Sequence, residues 1–293
     1  MSYLDQLAGL YTTKGLPFEI HNDTFWQVYN RMVEPRGPAS KPIVLDKKEA
    51  ASLRKSLGGL LIRWTGAFEN RAAKETDWFA LICDQHIPVA QVQNKSQKKK
   101  LKKALSVSEF RPVSANFIAQ NAYPVYVKAH QRYGNNKNNF IAQKAFQKQA
   151  LIDADFEQLI QYFGVFHGGQ LAAYSKCYSF DNEEVNYTQS KFDPDFLKYR
   201  IGEVMAYGRN EFYLEKQQVK YVNSGWRSIE HQTNIQDFYQ QKFQFKKMAL
   251  PLYIQYEPKV DMALRLLRPF GNSVGRFSPK LGALIRLDGY RKK

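Results

Sequence analysis

The sequence predicts an α+β protein of two halves, the second a mixed, mostly antiparallel sheet flanked by helices. Three observations carry this expectation. The chain has 293 residues, close to two domains of ordinary size. Its hydrophobic fraction is 44%, with 20 Phe and 18 Tyr, enough to build cores where a disordered chain is poor in aromatics. Along the second half the apolar period alternates between two and 3.6 in a definite order: strand, two helices, three antiparallel strands, helix, strand, helix, strand.

The elements follow in order. Residues 1–94 mix short apolar stretches with turns, and form a first half. Within them Leu45 to Leu61 reads as a helix, with Ala50, Leu53, Leu57 and Leu60 on one stripe. Glu34 to Pro38 reads as a loop, Trp78 to Cys83 (WFALIC) as a buried strand, and Ala90 to Ser96 as the approach to a linker. The main domain is expected over 95–260. A basic helix opens it, Ser106 to Ser114 is a strand, and Ala115 to Tyr133 is a helix that Pro124 must kink or split. Phe140 to Leu151 continues as a second helix. Phe156 to His167 and Gln170 to Phe180 flank Gly168-Gly169, a strong hairpin signal, and Glu184 to Ser190 is the third strand. Asp193-Pro194-Asp195 starts a long helix, because Asp caps free amides and Pro fits a first turn. Val219 to Val222, Asn234 to Lys242 and Ala249 to Tyr256 complete the order as strand, helix and strand. Residues 261–293 hold Pro269, Gly271, Gly275, Pro279, Gly282 and Gly289, and are expected as an extended or irregular arm.

Charge is concentrated. The formal net charge is +16, and two segments supply most of it. Between Asp84 and Glu109 there are six Lys and no acid: Lys95, Lys98, Lys99, Lys100, Lys102 and Lys103. The last 33 residues carry eight basic and two acidic groups. Such patches attract polyanions such as tRNA, an anionic membrane face or ligand phosphates, and the plainer reading is a solvated helix face. The two cysteines, Cys83 and Cys177, lie far apart in apolar runs, which excludes a disulfide scaffold and suits a reducing cytoplasm. The five His show no metal-binding spacing, so no metal is expected. No apolar run reaches a membrane span, and the first ten residues lack the pattern of a signal peptide. There is no GxGxxG or GxxxxGK phosphate loop.

From about Lys95 to Tyr256 the order of elements resembles the GNAT acyltransferase fold, and more closely its FemAB-like branch. KSQKKKLKKALSVSEFRPVS resembles that branch's basic helix and first strand. FGVFHGGQLAAYSKCYSF resembles its central hairpin. YVNSGWRSIEHQTNIQDFYQQKFQFKKM resembles its final strand, loop and helix, ending in a variant of FYxKxGF. The resemblance implies that residues 1–94 are a degenerate first GNAT-like half. It also implies an acyl or aminoacyl group moved from coenzyme A or aminoacyl-tRNA to an amine, with a cell-envelope or polysaccharide precursor as acceptor. A cytoplasmic protein in peripheral contact with a membrane suits that role. In such a fold two parallel strands splay apart and bind the donor arm, here Glu184 to Ser190 against Val219 to Val222. The helix that follows offers amides to the donor phosphates.

The coenzyme A loop of these enzymes reads R/Q-x-x-G-x-G/A. The nearest stretch, Tyr199 to Val204, keeps Gly202 alone. The usual general-acid Tyr falls at Gln240, with Tyr239 one residue away. These departures, and the basic segments, lean toward aminoacyl-tRNA. They equally suit a GNAT fold that has lost catalysis and binds nucleic acid. The candidate donor residues are Lys198, Arg200, Gly202, Asn223, Ser224, Gly225 and Arg227. Arg227 is placed to hold a phosphate or carboxylate. Glu230, His231 and Tyr239 are the catalytic candidates. Each has a plainer reading: a turn glycine for Gly225, a polar residue ahead of a helix for His231, a solvated face for Lys198 and Arg200.

Overall fold

A computed structural model describes residues 1–69, 71–132, 140–229, 235–271 and 276–292. It is α+β, with mixed, mostly antiparallel sheets flanked by helices, as expected. The chain divides into two compact units that are not contiguous in sequence. The first takes Met1–Gln6, Cys83–Ser224 and Phe238–Phe245. The second takes Leu7–Ile82, Gly225–Asp237 and Lys246–Lys293. These units do not coincide with the segments 1–94, 95–260 and 261–293.

The N-terminal segment is richer than its mixed patterning suggested. It runs α1 (Tyr3–Thr13), β1 (Phe18–His21), β2 (Thr24–Tyr29), β3 (Met32–Arg36), α2 (Lys47–Ser56), β4 (Leu61–Thr65) and β5 (Trp78–Cys83). β1, β2 and β3 form an antiparallel meander, and β4 then pairs parallel to β3. A capping box sets the crossover helix α2: Asp46 accepts from the Lys48 and Glu49 amides, and Glu49 returns a bond to the Asp46 amide. Ala50 and Leu53 are its buried stripe. Residues Glu34 to Arg36 are strand, not loop. Pro35 lies past the last β3–β4 pair, Val33↔Ile62, where the strand has one partner and a missing N–H is tolerated.

The basic segment is a helix, α3 (Lys95–Val107), capped by Asn94 and seated through Leu101 and Ala104. It leads into β6 (Ser108–Val113). Three helices follow: α4 (Ala115–Asn121), α5 (Tyr123–Arg132) and α6 (Gln143–Ala154). The break between α4 and α5 falls just before Pro124, as expected. β7 (Ile160–His167), β8 (Gln170–Phe180) and β9 (Glu184–Phe192) form the antiparallel core, with β6 on β7. Gly168 and Gly169 both take positive φ, as a two-residue hairpin turn requires.

The long helix is segmented. Pro194–Tyr199 is a 3-10 helix, Arg200 adopts a left-handed conformation (φ 60°), and α7 (Ile201–Asn210) follows. A π-helical turn, Glu211–Lys216, continues it. Gly208 permits α7 to touch β6, since a Cβ there would lie 2.3 Å from the Phe110 ring. β10 (Tyr221–Trp226) pairs parallel to β9, so the first unit carries the strand order β10-β9-β8-β7-β6. α8 (Ile235–Phe243) comes next.

The expected last strand is two strands. β11 (Lys246–Leu250) pairs with β5, and β12 (Leu252–Tyr256) pairs with β4. Pro251 separates them, having no N–H to carry a ladder through. The expected arm is mainly helical: α9 (Pro258–Leu267) and α10 (Pro279–Gly289). Both begin with Pro in the first turn, where it favours a helix. Leu264 and Leu287 join Leu61, Trp78, Leu252, Ile254 and Tyr256 in one core of the second unit.

Candidate functional site

Each unit contains the same local device: antiparallel strands, a crossover helix, and a strand that starts parallel to the last one and diverges. Their chemistry differs.

In the first unit β9 and β10 pair at Glu184↔Tyr221, Val185↔Val222 and Asn186↔Asn223 only. This is the splay expected between these segments. At its paired end the buried Glu184 carboxylate accepts from Asn223 Nδ2 at 2.9 Å. Ser224 Oγ is buried with no hydrogen-bond partner among the described residues. Beyond Asn186 the next residue of β9, Tyr187, is covered by a side chain from α7. Arg209 of α7 is fully buried and stacks on Tyr187, 3.8 Å from the ring centroid. It donates to Ser175 Oγ (2.7 Å), Ser190 Oγ (3.2 Å) and the Tyr239 hydroxyl (2.5 Å). Tyr239, a catalytic candidate, thus accepts from a buried cation, and burial leaves it 7% exposed.

The amino end of α7 is occupied as well. Glu203, 5% exposed, takes Arg200 Nη1 at 2.7 Å and Lys242 Nζ at 2.5 Å on one oxygen. A carboxylate in the first turn is favourable for the helix dipole. Here it neutralises the two cations that a donor phosphate would need. Lys198 lies in the 3-10 segment with its ammonium 5.2 Å from the Tyr199 ring. Gly202 sits in the first turn of α7, and a Cβ there would meet only Phe192. Glu230 and His231 lie outside the described residues.

On α3, five of the six lysines are exposed, and Lys98 donates to the Ala90 carbonyl at 2.5 Å. No acid lies in the first turn. Lys95/Lys99, Lys98/Lys102 and Lys99/Lys103 are like charges one turn apart, and lysines at a helix amino end oppose its dipole. The helix therefore carries a standing electrostatic cost that a polyanion would relieve.

The second unit holds an open space. β3 and β4 pair at Met32↔Leu61 and Val33↔Ile62 and then part. Where they part lies a cavity of about 840 Å³ lined by Met32, Glu34, Leu61 and Arg63 from these strands. Trp78 and Trp226, stacked at 6.3 Å, form one wall. Leu281, Leu284 and Leu287 of α10 form an apolar one. Four cations reach the cavity: Arg31, Arg63, Arg227 and Lys280. Among the described residues Glu34 is the single carboxylate of the lining. Arg63 holds Glu34 Oε2 through Nε (3.0 Å) and Nη2 (2.5 Å), and Gln27 donates to Oε1 (3.2 Å). Both charged groups are largely shielded from solvent, 18% and 14% exposed.

Arg227 was expected to hold an anion, and it does line this cavity. It is braced by the Asp77 carbonyl (3.1 Å) and by the rings of Tyr290 (4.4 Å) and Phe79 (5.3 Å). Gly225 takes φ 122°, a value few other residues adopt. Asn223 to Trp226 are strand rather than loop, so the turn begins at Arg227. Sequence reasoning missed Glu34, Arg63 and the tryptophan pair. The available signal was order: three strands, a helix and a strand occur in residues 18–65 as they do in 160–226.

Cys83 and Cys177 are both buried thiols not joined in a disulfide, and burial raises the Cys177 thiol. His86, Glu211 and Glu215 converge within the first unit, a grouping that linear spacing conceals.

No family model and no curated protein matches the chain. Solved structures do. The C-terminal domain (DUF2156) of a protein described as a lysylphosphatidylglycerol synthetase of Agrobacterium fabrum is 12% identical, with TM-score 0.55, over 89% of this chain and 90% of that one. A conserved protein of unknown function from Bacteroides thetaiotaomicron is 13% identical, with TM-score 0.49, over 85% and 89%. A tandem GNAT protein from the clavulanic acid biosynthesis pathway is 10% identical, with TM-score 0.46, over 80% and 78%. At these identities the likeness is one of fold. These likenesses do not specify the FemAB-like branch.

Proposed function

We propose that the chain is an acyltransferase that moves an acyl or aminoacyl group to an amine in the cavity of the second unit. One observation carries this reading: a mostly apolar cavity of about 840 Å³ opens where β3 and β4 part, with four cations and one carboxylate among the described residues of its wall. A pocket of that size, apolar with a few convergent polar groups, suits a small-molecule or acyl site. Arg227 and Lys280 supply charge for a phosphate or ester oxygen. Glu34, oriented by Arg63, is the group placed to take a proton from the attacking amine. The amine attacks the ester carbonyl, the carbonyl–oxygen bond to the donor breaks, and the donor leaves with the proton.

The donor class that fits best is aminoacyl-tRNA. The lysines of α3 are available to phosphates, whereas the amino end of α7 already holds Glu203. The acceptor is an amine presented at an anionic membrane face. Met262, Leu266 and Phe270 recur every four residues, exposed, between Lys259, Arg265 and Arg268. Apolar side chains interleaved with cations are what an interfacial helix offers to lipid. Among the described residues no helix is long and apolar enough to cross a membrane.

A second reading is a catalytically silent fold that holds nucleic acid. The buried Arg209 and the paired Glu203 favour it, since both fill places where a donor would lie.

The test is incubation of the full chain with a charged tRNA pool or with acetyl-coenzyme A, plus hydroxylamine as a small nucleophile. Hydroxamate formed from charged tRNA, and lost in Glu34→Gln, is the expected result. No product from either donor, with RNA bound irrespective of its charging, establishes the second reading instead.

A further inference from the structure

The convergence of His86, Glu211 and Glu215 is separate from the cavity and from the strand pairs. His86 stands on the segment that follows β5. The π-helical turn after α7 sets Glu211 and Glu215 four residues apart, and such turns are frequent at functional sites. One ligand-type atom from each residue lies within 4.8 Å of the other two.

Two facts separate this group from an ordinary acidic surface. His86 is only 9% exposed, and its Nε2 is buried with no hydrogen-bond partner among the described residues. That nitrogen faces the group, 3.6 Å from Glu215 Oε2. Tyr207 packs edge-on against the ring at 4.7 Å and fixes its direction. A buried ring nitrogen without a partner is a cost that native structures rarely leave unanswered.

We propose that His86, Glu211 and Glu215 form a divalent transition-metal site, with Zn²⁺ as the fitting ion. One borderline imidazole nitrogen and two carboxylates are a donor set that Zn²⁺ accepts, leaving a fourth position for water. Two carboxylates also balance the charge of the ion. Metal–ligand distances of about 2.0–2.2 Å require the donors to close in. The side chains that must move are the accessible ones, 34% exposed for Glu211 and 58% for Glu215. Lys216 currently sits 3.0 Å from Glu211 Oε2, where it supplies the charge the ion would replace. A bound ion would tie the segment after β5 to the end of α7.

The test uses the full chain, stripped with a chelator and titrated with Zn²⁺ against a chromophoric competitor. One Zn²⁺ per chain is expected. Glu215→Gln, a change at an exposed side chain that leaves packing intact, should weaken binding roughly tenfold or more, and His86→Ala should do the same. Lys216→Gln should tighten it, a result a purely structural lysine would not give. No stoichiometric uptake by the wild-type chain, or equal affinity in wild type, Glu215→Gln and His86→Ala, overturns the proposal.

Discussion

The parallel pair β9/β10 and the parallel pair β3/β4 share a topology and differ in what stands beside them. The first is joined at three residue pairs and the second at two, and both then diverge. In the first, Arg209 is buried against Tyr187, Tyr239, Ser175 and Ser190. In the second, the cations stand around an open cavity. The lesson is that diverging strands make a site only when the following helix leaves them empty. Arg209 and Glu203, both from α7, decide that in the first unit. α2 contributes no such cation to the second.

The largest effect that breaks the comparison is Arg209→Ala. It removes a buried cation and strands the hydroxyls it serves. It should cost about 3–5 kcal/mol of unfolding free energy in urea. Arg209→Met, which keeps the volume, should recover part of that. A neutral Arg209→Ala would show that the first pair is not held shut in this way. Next is Arg63→Ala, which leaves Glu34 shielded from solvent with Gln27 alone. A loss of about 1–3 kcal/mol is expected, with the amide exchange of β7–β9 unaltered.

Glu203→Gln sharpens the contrast from the other side. It frees Arg200 and Lys242 at the amino end of α7. The first unit should then bind inorganic phosphate or coenzyme A about tenfold more tightly than wild type, by calorimetry. An unchanged affinity would mean that the closed strand pair, not the carboxylate, excludes the donor. The smallest effect is on pH dependence. Burial, aided by the Lys191 charge, lowers His130 below its ordinary 6.5. Above pH 6.5 the ring is neutral in both folded and unfolded chains. Below it the unfolded chain takes up the proton first, so stability falls from pH 6.5 down to the lowered folded value. His130→Gln should flatten that part of the profile, read by denaturation at successive pH values.

The second half of the fold was legible because its signals are local. Gly168-Gly169 between two apolar runs, Pro124 within a helix and Asp193-Pro194 at a helix start each act within a few residues. The first half was legible only in part: Trp78–Cys83 and the buried stripe of α2 could be read, but β1 to β4 could not, because they are four to six residues long and β3 carries a Pro. Pro35 is excused only by the pairing geometry, which sequence does not display. The C-terminal segment misled for a related reason. Its Pro residues read as breakers, yet Pro279 starts a helix. Of the candidate site, Arg227 and Gly225 could be read from the turn chemistry after a strand. The role of Tyr239 could not, since its partner Arg209 lies 30 residues away.

In this reading the acyl group enters the cavity of the second unit and not the gap between β9 and β10. Equilibrium binding of a charged tRNA pool to wild type, Trp226→Ala and Arg200→Ala tests it most directly, at one physiological salt concentration. Trp226 walls the cavity of the second unit, and Arg200 stands at the amino end of α7 in the first. The account predicts that Trp226→Ala weakens the preference for charged over uncharged tRNA roughly tenfold, and that Arg200→Ala leaves it unchanged. Loss of that preference in Arg200→Ala, with Trp226→Ala like wild type, would contradict it.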